Sequence, residues 1–496
     1  MLQSHSTARA RTELAVPPPV RTGMLVIAAG FIVVAVCWLA INRSFALAVA
    51  PALLLVLGTL ALRPYWGAVG LLLYSTVHFF VARVIFHTGN NPSLLIDTGK
   101  DFFLLVVFAV WSYQHKGKPF SAIPRGVFVA MAVYATITLV EAFNPLGFGF
   151  KAAFTDFRWT TLSLIFALIV AGSLRSARAL RVTLGLLVGM AVLQAIYGIF
   201  QQTLSFKQDV ALGADPGLGG SFFLGHVLSF GAVGGAFGPY LAMVLPFVVA
   251  WLITAQTWWQ RVLALAACAL LLVAIVDSSV RVSWVMTAIG IITTCLATRR
   301  WLLLALAFAA GLTFATLTSG YTAHRLHAVL DPLGRSSTLR GRTIAWAGNY
   351  QLVFEYPLGF GLGTTGDTRY RQGVTAVANI VPPFTENEWL DLGLEIGLPG
   401  IAAFAWMLVA VVRASVEVRR QLIDPWLCTV WAASFSVVVM CLVAGIDART
   451  ITGAAPVSWY FWASIGVLFA LPRIHDGERV LPTLIHSGGG EYATSR

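Results

Sequence analysis

The chain has 496 residues, 58% of them hydrophobic and only 11% charged, with a formal net charge of +12. Soluble globular domains are about half apolar and a quarter charged, so this composition excludes one and defines a polytopic membrane protein. The basic residues sit in short clusters between apolar runs, which makes most of them orientation signals and argues against a nucleic-acid binder. Cys37, Cys268, Cys295, Cys428 and Cys441 all fall in apolar runs without CxxC spacing, the pattern of free, lipid-buried thiols.

A helix needs roughly 17 to 25 mostly apolar residues to cross a bilayer, and that rule gives about fourteen spans. The first, Met24 to Ile41, follows Arg9, Arg11 and Arg21. It lacks a small-residue cleavage site and is succeeded at once by Phe45 to Leu62, so it reads as an anchor rather than a secretory signal. Next come Trp66 to Phe86, Leu94 to Tyr113, Val127 to Phe143, Thr160 to Leu174, Val182 to Phe200, Pro239 to Ala255 and Val262 to Val276. Val282 to Ala297, Trp301 to Leu317, Trp389 to Val412, Trp426 to Ile446 and Val457 to Leu471 complete the set. Asp97, Lys100 and Asp101 put the outer end of the fourth span at an interface or inside the bundle. Tryptophans near span ends, Trp66, Trp111, Trp159, Trp284, Trp301, Trp389, Trp426 and Trp459, read as headgroup anchors.

Basic clusters alternate with this count. Arg63; Lys116, Lys118 and Arg125; Arg175, Arg178 and Arg181; Arg261; Arg299 and Arg300; and Arg413, Arg419 and Arg420 fall in alternate loops, expected to be cytoplasmic together with both termini. The expected organisation is a cytoplasmic segment 1–23, a bundle 24–317 of about eleven helices with an extracytoplasmic loop 201–238, a large extracytoplasmic loop 318–387, C-terminal spans 388–471 and a cytoplasmic tail 472–496. The tail from Ile474 reads as disordered. No internal repeat is apparent, which weakens an inverted-repeat transporter.

The large loop carries Arg325, Arg335, Arg340, Arg342, Arg369 and Arg371 against Asp331, Glu355, Asp367 and Glu386, a cationic surface suited to a phosphorylated ligand. It closes on Thr385 to Gly400, TENEWLDLGLEIGLPG. Thr385 to Glu388 also reads as a helix cap, which suits Glu388 best and leaves Glu386 open between cap and general base. Asn387 caps or binds a ligand. Gly397, Pro399 and Gly400 interrupt an apolar helix and shape a wall, and Asp391 and Glu395, at i and i+4, need a polar surrounding. His324 and His327, with His226, have a spacing compatible with metal but no accompanying ligand set, so no metal and no cofactor is expected; His226 and His324 are alternative bases. No GxGxxG or P-loop stands in a strand-turn-helix context, so a nucleotide-binding site is not expected.

Glu386-Asn387, the nine residues Glu388 to Ile396 and Gly397-Leu-Pro-Gly400 together resemble the signature of the O-antigen ligase and O-antigen polymerase-like superfamily. The ligases of that family carry His where this chain has Glu386. In the same order, Gly235 to Ala242, Ser279-Val-Arg281-Val-Ser283 and Arg340 to Gly363 with its Pro-x-Gly-x-Gly turn resemble further family segments. The resemblance spans roughly Gly225 to Ile401. It implies an all-α, GT-C-like membrane protein of about fourteen helices in the cytoplasmic (inner) membrane, with its active site on the extracytoplasmic side. The implied activity is glycosyl transfer from a polyprenyl-diphosphate-linked oligosaccharide to a glycan acceptor. In that reading Arg281, Arg340 and Arg342 stabilise the departing diphosphate and Glu386 is the base. Asn387, Arg371, His324, Asp391, Gly397 and Gly400 line the substrate. Taken by itself, Arg281 also suits snorkelling or pairing with Asp277. The departure at Glu386 favours polymerisation of exopolysaccharide or O-antigen repeat units, with a possible chain-length regulator as partner. An O-antigen ligase or protein O-oligosaccharyltransferase is the alternative, and a lipid-linked oligosaccharide flippase the alternative of another class.

Overall fold

The computed structural model describes residues 57–78, 94–115, 122–201, 236–278, 280–317, 338–366, 385–453 and 456–487. The first expected span, most of the second, and Cys37, His226, His324, His327 and Arg371 lie outside them.

Every regular element among the described residues is a helix. They are α1 Pro64–Ser75, α2 Leu94–Gln114, α3 Arg125–Glu141 and α4 Phe150–Phe157, which runs through a π turn, Arg158–Leu162, into α5 Leu164–Ser173. Then follow α6 Ala177–Gln201, α7 Phe237–Thr254, α8 Trp258–Asp277, α9 Arg281–Ala297, α10 Trp301–Leu317 and α11 Thr338–Glu355. Last come α12 Glu388–Gln421, α13 Pro425–Ala444 and α14 Val457–Ser487. Among the described residues seven stretches are long and apolar enough to cross a membrane: Phe150–Ser173, α6 as far as Phe200, α7, α8, α12, α13 and α14 as far as Gly477. The described residues are all-helical, and the molecule is a multi-pass membrane protein.

Local sequence explains where these helices begin. Thr257 and Gln260 form a reciprocal capping box at the start of α8, and Asp424 caps α13 by accepting from the Leu427 N–H at 2.7 Å, with Pro425 in the first turn where its missing N–H costs nothing. Packing follows apolar faces. α13 lies on α9, α14 and α7; α14 on α5; α12 on α3 and α11; and α7 also on α8 and α9. Gly238 of α7 allows a close approach to α9, because a Cβ there would stand 2.6 Å from the Ser283 Oγ. The two motifs read separately in the sequence at these glycine and serine positions are thus in contact. α6 and α8 are buried over only 33% and 28% of their most apolar windows, and Val262, Leu263, Leu265 and Leu193 stand exposed, the arrangement of lipid-facing helices that are apolar all round.

The structure corrects several expectations. The span expected from Thr160 begins at Phe150 and takes in Lys151, Asp156 and Arg158. Asp156 and Arg158 are tolerated because each is paired across the bundle: Arg158 donates to Asp101 of α2 at 2.9 Å, and Asp156 accepts from Arg449. α14 continues as helix to Ser487, through residues expected to be a disordered tail. Trp111, Trp159 and Trp459 are not interfacial anchors but core, with exposures of 0%, 8% and 4%; Trp111 stacks on Phe108 and fills the space beside Gly172. Trp301, at 62% exposed, keeps the surface position expected of an anchor.

The bundle has two chemically distinct ends. One carries Arg125, Arg175, Arg419, Arg420 and Arg473; Arg473 donates to the carbonyls of Ala122 and Ala171, tying α14 to the start of α3 and the end of α5. The other gathers the C-terminus of α3, the N-termini of α4, α12 and α14, and the turn after α13.

Candidate active site

The site is built on a break in α12. Gly397 has φ 67° and ψ −172°, a conformation open only to glycine, and Pro399 two residues on has no N–H. The carbonyl of Glu395, which an intact helix would pair with residue 399, is therefore without a helical partner. Gly361 donates to it at 3.0 Å, Phe360 donates to the Leu394 carbonyl at 2.7 Å, and Leu398 donates in turn to the Pro357 carbonyl at 2.8 Å. The Pro357-Leu-Gly-Phe-Gly-Leu-Gly363 segment can lie this close because Gly359, Gly361 and Gly363 take φ of 80°, 90° and 76°. Asn144 braces the same turn from the end of α3, donating to Glu141 Oε2 and to the Gly359 carbonyl.

Immediately before α12 the chain turns sharply. Thr385 Oγ1 accepts from the Asn387 N–H at 3.1 Å, and Asn387 Oδ1 accepts from the Leu390 N–H at 3.1 Å, so Asn387 is the cap. Glu386 is left outside the helix at φ 51° with its side chain 46% exposed, and it forms an ion pair with Arg342 of α11. Arg342 also pairs with Asp447 in the turn after α13. Trp346, one helical turn along α11 from Arg342, donates its indole N–H to the Thr385 carbonyl at 2.6 Å and locks α11 against this corner.

Glu388 is not a cap of its own helix, contrary to expectation. Its side chain is buried and accepts from the consecutive backbone N–H groups of Thr450, Ile451 and Thr452, the last at 2.6 Å, while its own N–H donates to the Gly445 carbonyl at 2.8 Å. Asp391 accepts from Thr385 Oγ1 at 2.7 Å. Glu395 Oε1 accepts from the N–H and Oγ1 of Thr365, and its Oε2 receives Arg449 Nη2 at 2.9 Å. The same nitrogen reaches Asp156 Oδ2 of α4 at 3.2 Å. Burial works to discharge Arg449, yet Asp156, Glu395, Asp391 and Glu388 outweigh it and hold the guanidinium pKa well above its ordinary value.

Of the residues read from the sequence, the structure thus joins Glu386 to Arg342, gives Asn387 to capping, buries Asp391 beneath Thr385, and uses Gly397 to admit the 357–363 turn. Gly400 lies just past the break, where a Cβ would crowd the Ile396 side chain. Arg281 begins α9 and is partly buried; Arg340 lies in the first turn of α11, its side chain outside the described atoms. The sequence reading missed Asp447, Arg449 and Asp156. A signal for Arg449 existed: it is the lone basic residue between Arg420 and Arg473, in a loop on the far side from the basic clusters, while two carboxylates of α12 lacked a cation.

These features define a membrane-embedded helical bundle with an arginine–carboxylate site at one end, built around a broken helix. A family model described as O-antigen ligase matches residues 266–405, from within α8 to the segment of α12 beyond its break. That match supports the O-antigen ligase-like superfamily and, with it, a membrane enzyme of the glycan ligase or polymerase type. No curated protein sequence matches the chain.

Proposed function

We propose that the protein polymerises lipid-linked repeat units, transferring an oligosaccharide from a polyprenyl diphosphate to a hydroxyl of a second glycan at the extracytoplasmic face. The observation that carries this reading is the Arg342–Glu386 pair, inside the family-matched segment and at the end of the bundle away from Arg125, Arg175, Arg419, Arg420 and Arg473. Basic clusters mark the cytoplasmic side, so the pair belongs outside.

In the reaction the bond from the anomeric carbon to the diphosphate oxygen breaks while the acceptor oxygen bonds to that carbon, and the acceptor's proton needs a base. A diphosphate competes with Glu386 for the Arg342 fork, which is built for bidentate contact with phosphate oxygens. Its arrival frees the Glu386 carboxylate to take the proton, while Arg342 meets the charge that grows on the leaving group. Asp447, on Nη1 of Arg342, holds the guanidinium in place during that exchange. Arg281 and Arg340 are the further cations for the diphosphate. Arg371 and His324 are assigned to the substrate by their place in the loop. No metal and no cofactor enters this scheme.

Purified protein in lipid nanodiscs, supplied with polyprenyl-diphosphate-linked repeat units alone, should yield a ladder of lengthening lipid-linked glycan. A single transfer to lipid A–core or to a protein, with no ladder, would make it a ligase. Movement of intact donor across vesicles without a new glycosidic bond would make it a flippase.

A further inference from the structure

We infer that Arg449 is a positioning residue for this site: by bridging Glu395 and Asp156 it fixes the 445–453 turn, and through Asp447 in that turn it sets the orientation of Arg342. The inference rests on the transfer reading for its kinetic consequence but not for its geometry.

The turn is fastened by two independent devices. Glu388 gathers the amides of residues 450–452, which fixes the backbone after Arg449. Arg449 then reaches from that backbone to α12 and α4, and its Nε donates to Thr452 Oγ1 at 3.0 Å, bracing the side chain against its own turn. Gly453 is needed here as well, since its Cα lies against the Arg449 carbonyl where a Cβ has no room. The ties extend further through Glu395, whose other oxygen holds Thr365 and so the 357–366 segment that fills the break in α12. One guanidinium therefore joins α4, α12, the glycine turn and the turn after α13.

The output of this assembly is Asp447. It stands two residues before Arg449, and its Oδ1 accepts from Nη1 of Arg342 while Glu386 meets Nη2. Asp447 holds Nη1 and Glu386 Nη2 of one guanidinium, so a displacement of the turn swings Arg342 and changes how it meets Glu386. Arg449 itself is not placed to touch substrate: its side chain is 13% exposed, and its Nε and Nη2 are committed to protein oxygens. With four carboxylates around it, losing this cation leaves negative charge uncompensated in a buried setting, so an effect on the turn is expected even from a side chain of similar size.

The test compares Arg449→Gln, Arg449→Lys, Asp447→Asn and the Arg449→Gln/Asp447→Asn double variant, each full-length and in nanodiscs. Hydrogen exchange gives the readout that needs no activity. Peptides covering 445–453 should exchange faster in Arg449→Gln but not in Asp447→Asn, and the peptide carrying Arg342 should exchange faster in both. Kinetically, a misplacement of about 1 Å costs on the order of 10²-fold, so kcat should fall in Arg449→Gln with the donor KM near the parent's. The double variant should be no slower than Asp447→Asn, because both changes act through one contact. Should Arg449→Gln fold too poorly to purify, Arg449→Lys stands in, since a single ammonium keeps the charge but cannot meet the two carboxylates while a second nitrogen donates to Thr452, as Arg449 Nη2 and Nε do together. Unchanged exchange at Arg342 overturns the inference, as does a loss confined to KM or losses that add in the double variant. A parent protein that makes no glycosidic bond from lipid-linked repeat units defeats the transfer reading instead, and the exchange results still decide the role of Arg449.

Discussion

Gly361 donates its N–H to the carbonyl of Glu395 at 3.0 Å, supplying the bond that Pro399 cannot make. The glycine turn and the helix break are therefore one structure: the break opens backbone groups in an apolar setting, where each would be costly, and the turn satisfies them. This gives a physical reason for Pro-x-Gly-x-Gly and Gly-x-Pro-Gly in one chain.

Gly397→Ala and Gly359→Ala should each lower stability by about 1–3 kcal/mol from backbone strain alone. Crowding adds to this, because a Cβ at Gly359 would lie 2.7 Å from the Gly397 nitrogen and one at Gly397 would lie 2.7 Å from the Leu358 Cα. Gly348→Ala is the control: it is helical with nothing within 4 Å of a new Cβ, and should be neutral or stabilising by up to about 1 kcal/mol. Thermal unfolding in detergent separates the two groups.

Glu386→Gln should cost on the order of 10²- to 10⁴-fold in transfer rate, the usual worth of a general base, with thermal stability close to the parent. Stability is expected to hold because Asn387, not Glu386, caps α12. Asn387→Ala should show the reverse, losing about 1 kcal/mol of stability with a smaller change in rate. Transfer persisting within a few-fold in Glu386→Gln would move the base elsewhere, with Asp391 and the two loop histidines next in line.

Arg342→Lys keeps the charge but cannot hold Glu386 and Asp447 while presenting a flat fork to phosphate. Polymer yield in a deletion strain should fall well below the parent at equal protein level. Arg281→Lys and Arg340→Lys should fall too if they share the diphosphate, and normal yield from both would return them to surface or snorkelling roles.

Glu388→Gln should destabilise the protein by roughly 1–3 kcal/mol, since three N–H groups lose a charged acceptor in a buried place. Glu388→Ala should cost more, because it leaves those groups without any acceptor. Both should quicken exchange at residues 450–452, and slow exchange there in either variant would contradict the anchoring assigned to Glu388.

A reporter fused near Gly373 should register an extracytoplasmic position, and one after Gln421 a cytoplasmic position. The reverse pattern would place the Arg342–Glu386 pair on the side where a nucleotide sugar, not a transported lipid-linked glycan, is the accessible donor.

The sequence by itself determined that this is a helical membrane protein, where most of the later spans run, that residues 397–400 break a helix, and that Asp391 and Glu395 require a polar neighbourhood. These are local properties: hydropathy over about 20 residues, the dihedral habits of glycine and proline, and the i, i+4 spacing of one helix face. Glu386 and Arg342 stand out in the sequence as candidates, by their place in a motif and in a cationic loop, though nothing there shows that they pair. Only the tertiary structure decided which charges are buried and with whom. Asp156 and Arg449 are 293 positions apart, and no spacing rule connects them. A charge in an apolar helix is forbidden or tolerated according to a partner that packing brings from elsewhere, which is why no local rule puts Asp156 in its span or singles out Arg449. The role of Glu388 is hidden from the sequence for the same reason. Its neighbours along the chain fit a helix cap, and the amides it binds belong to a turn more than sixty residues away.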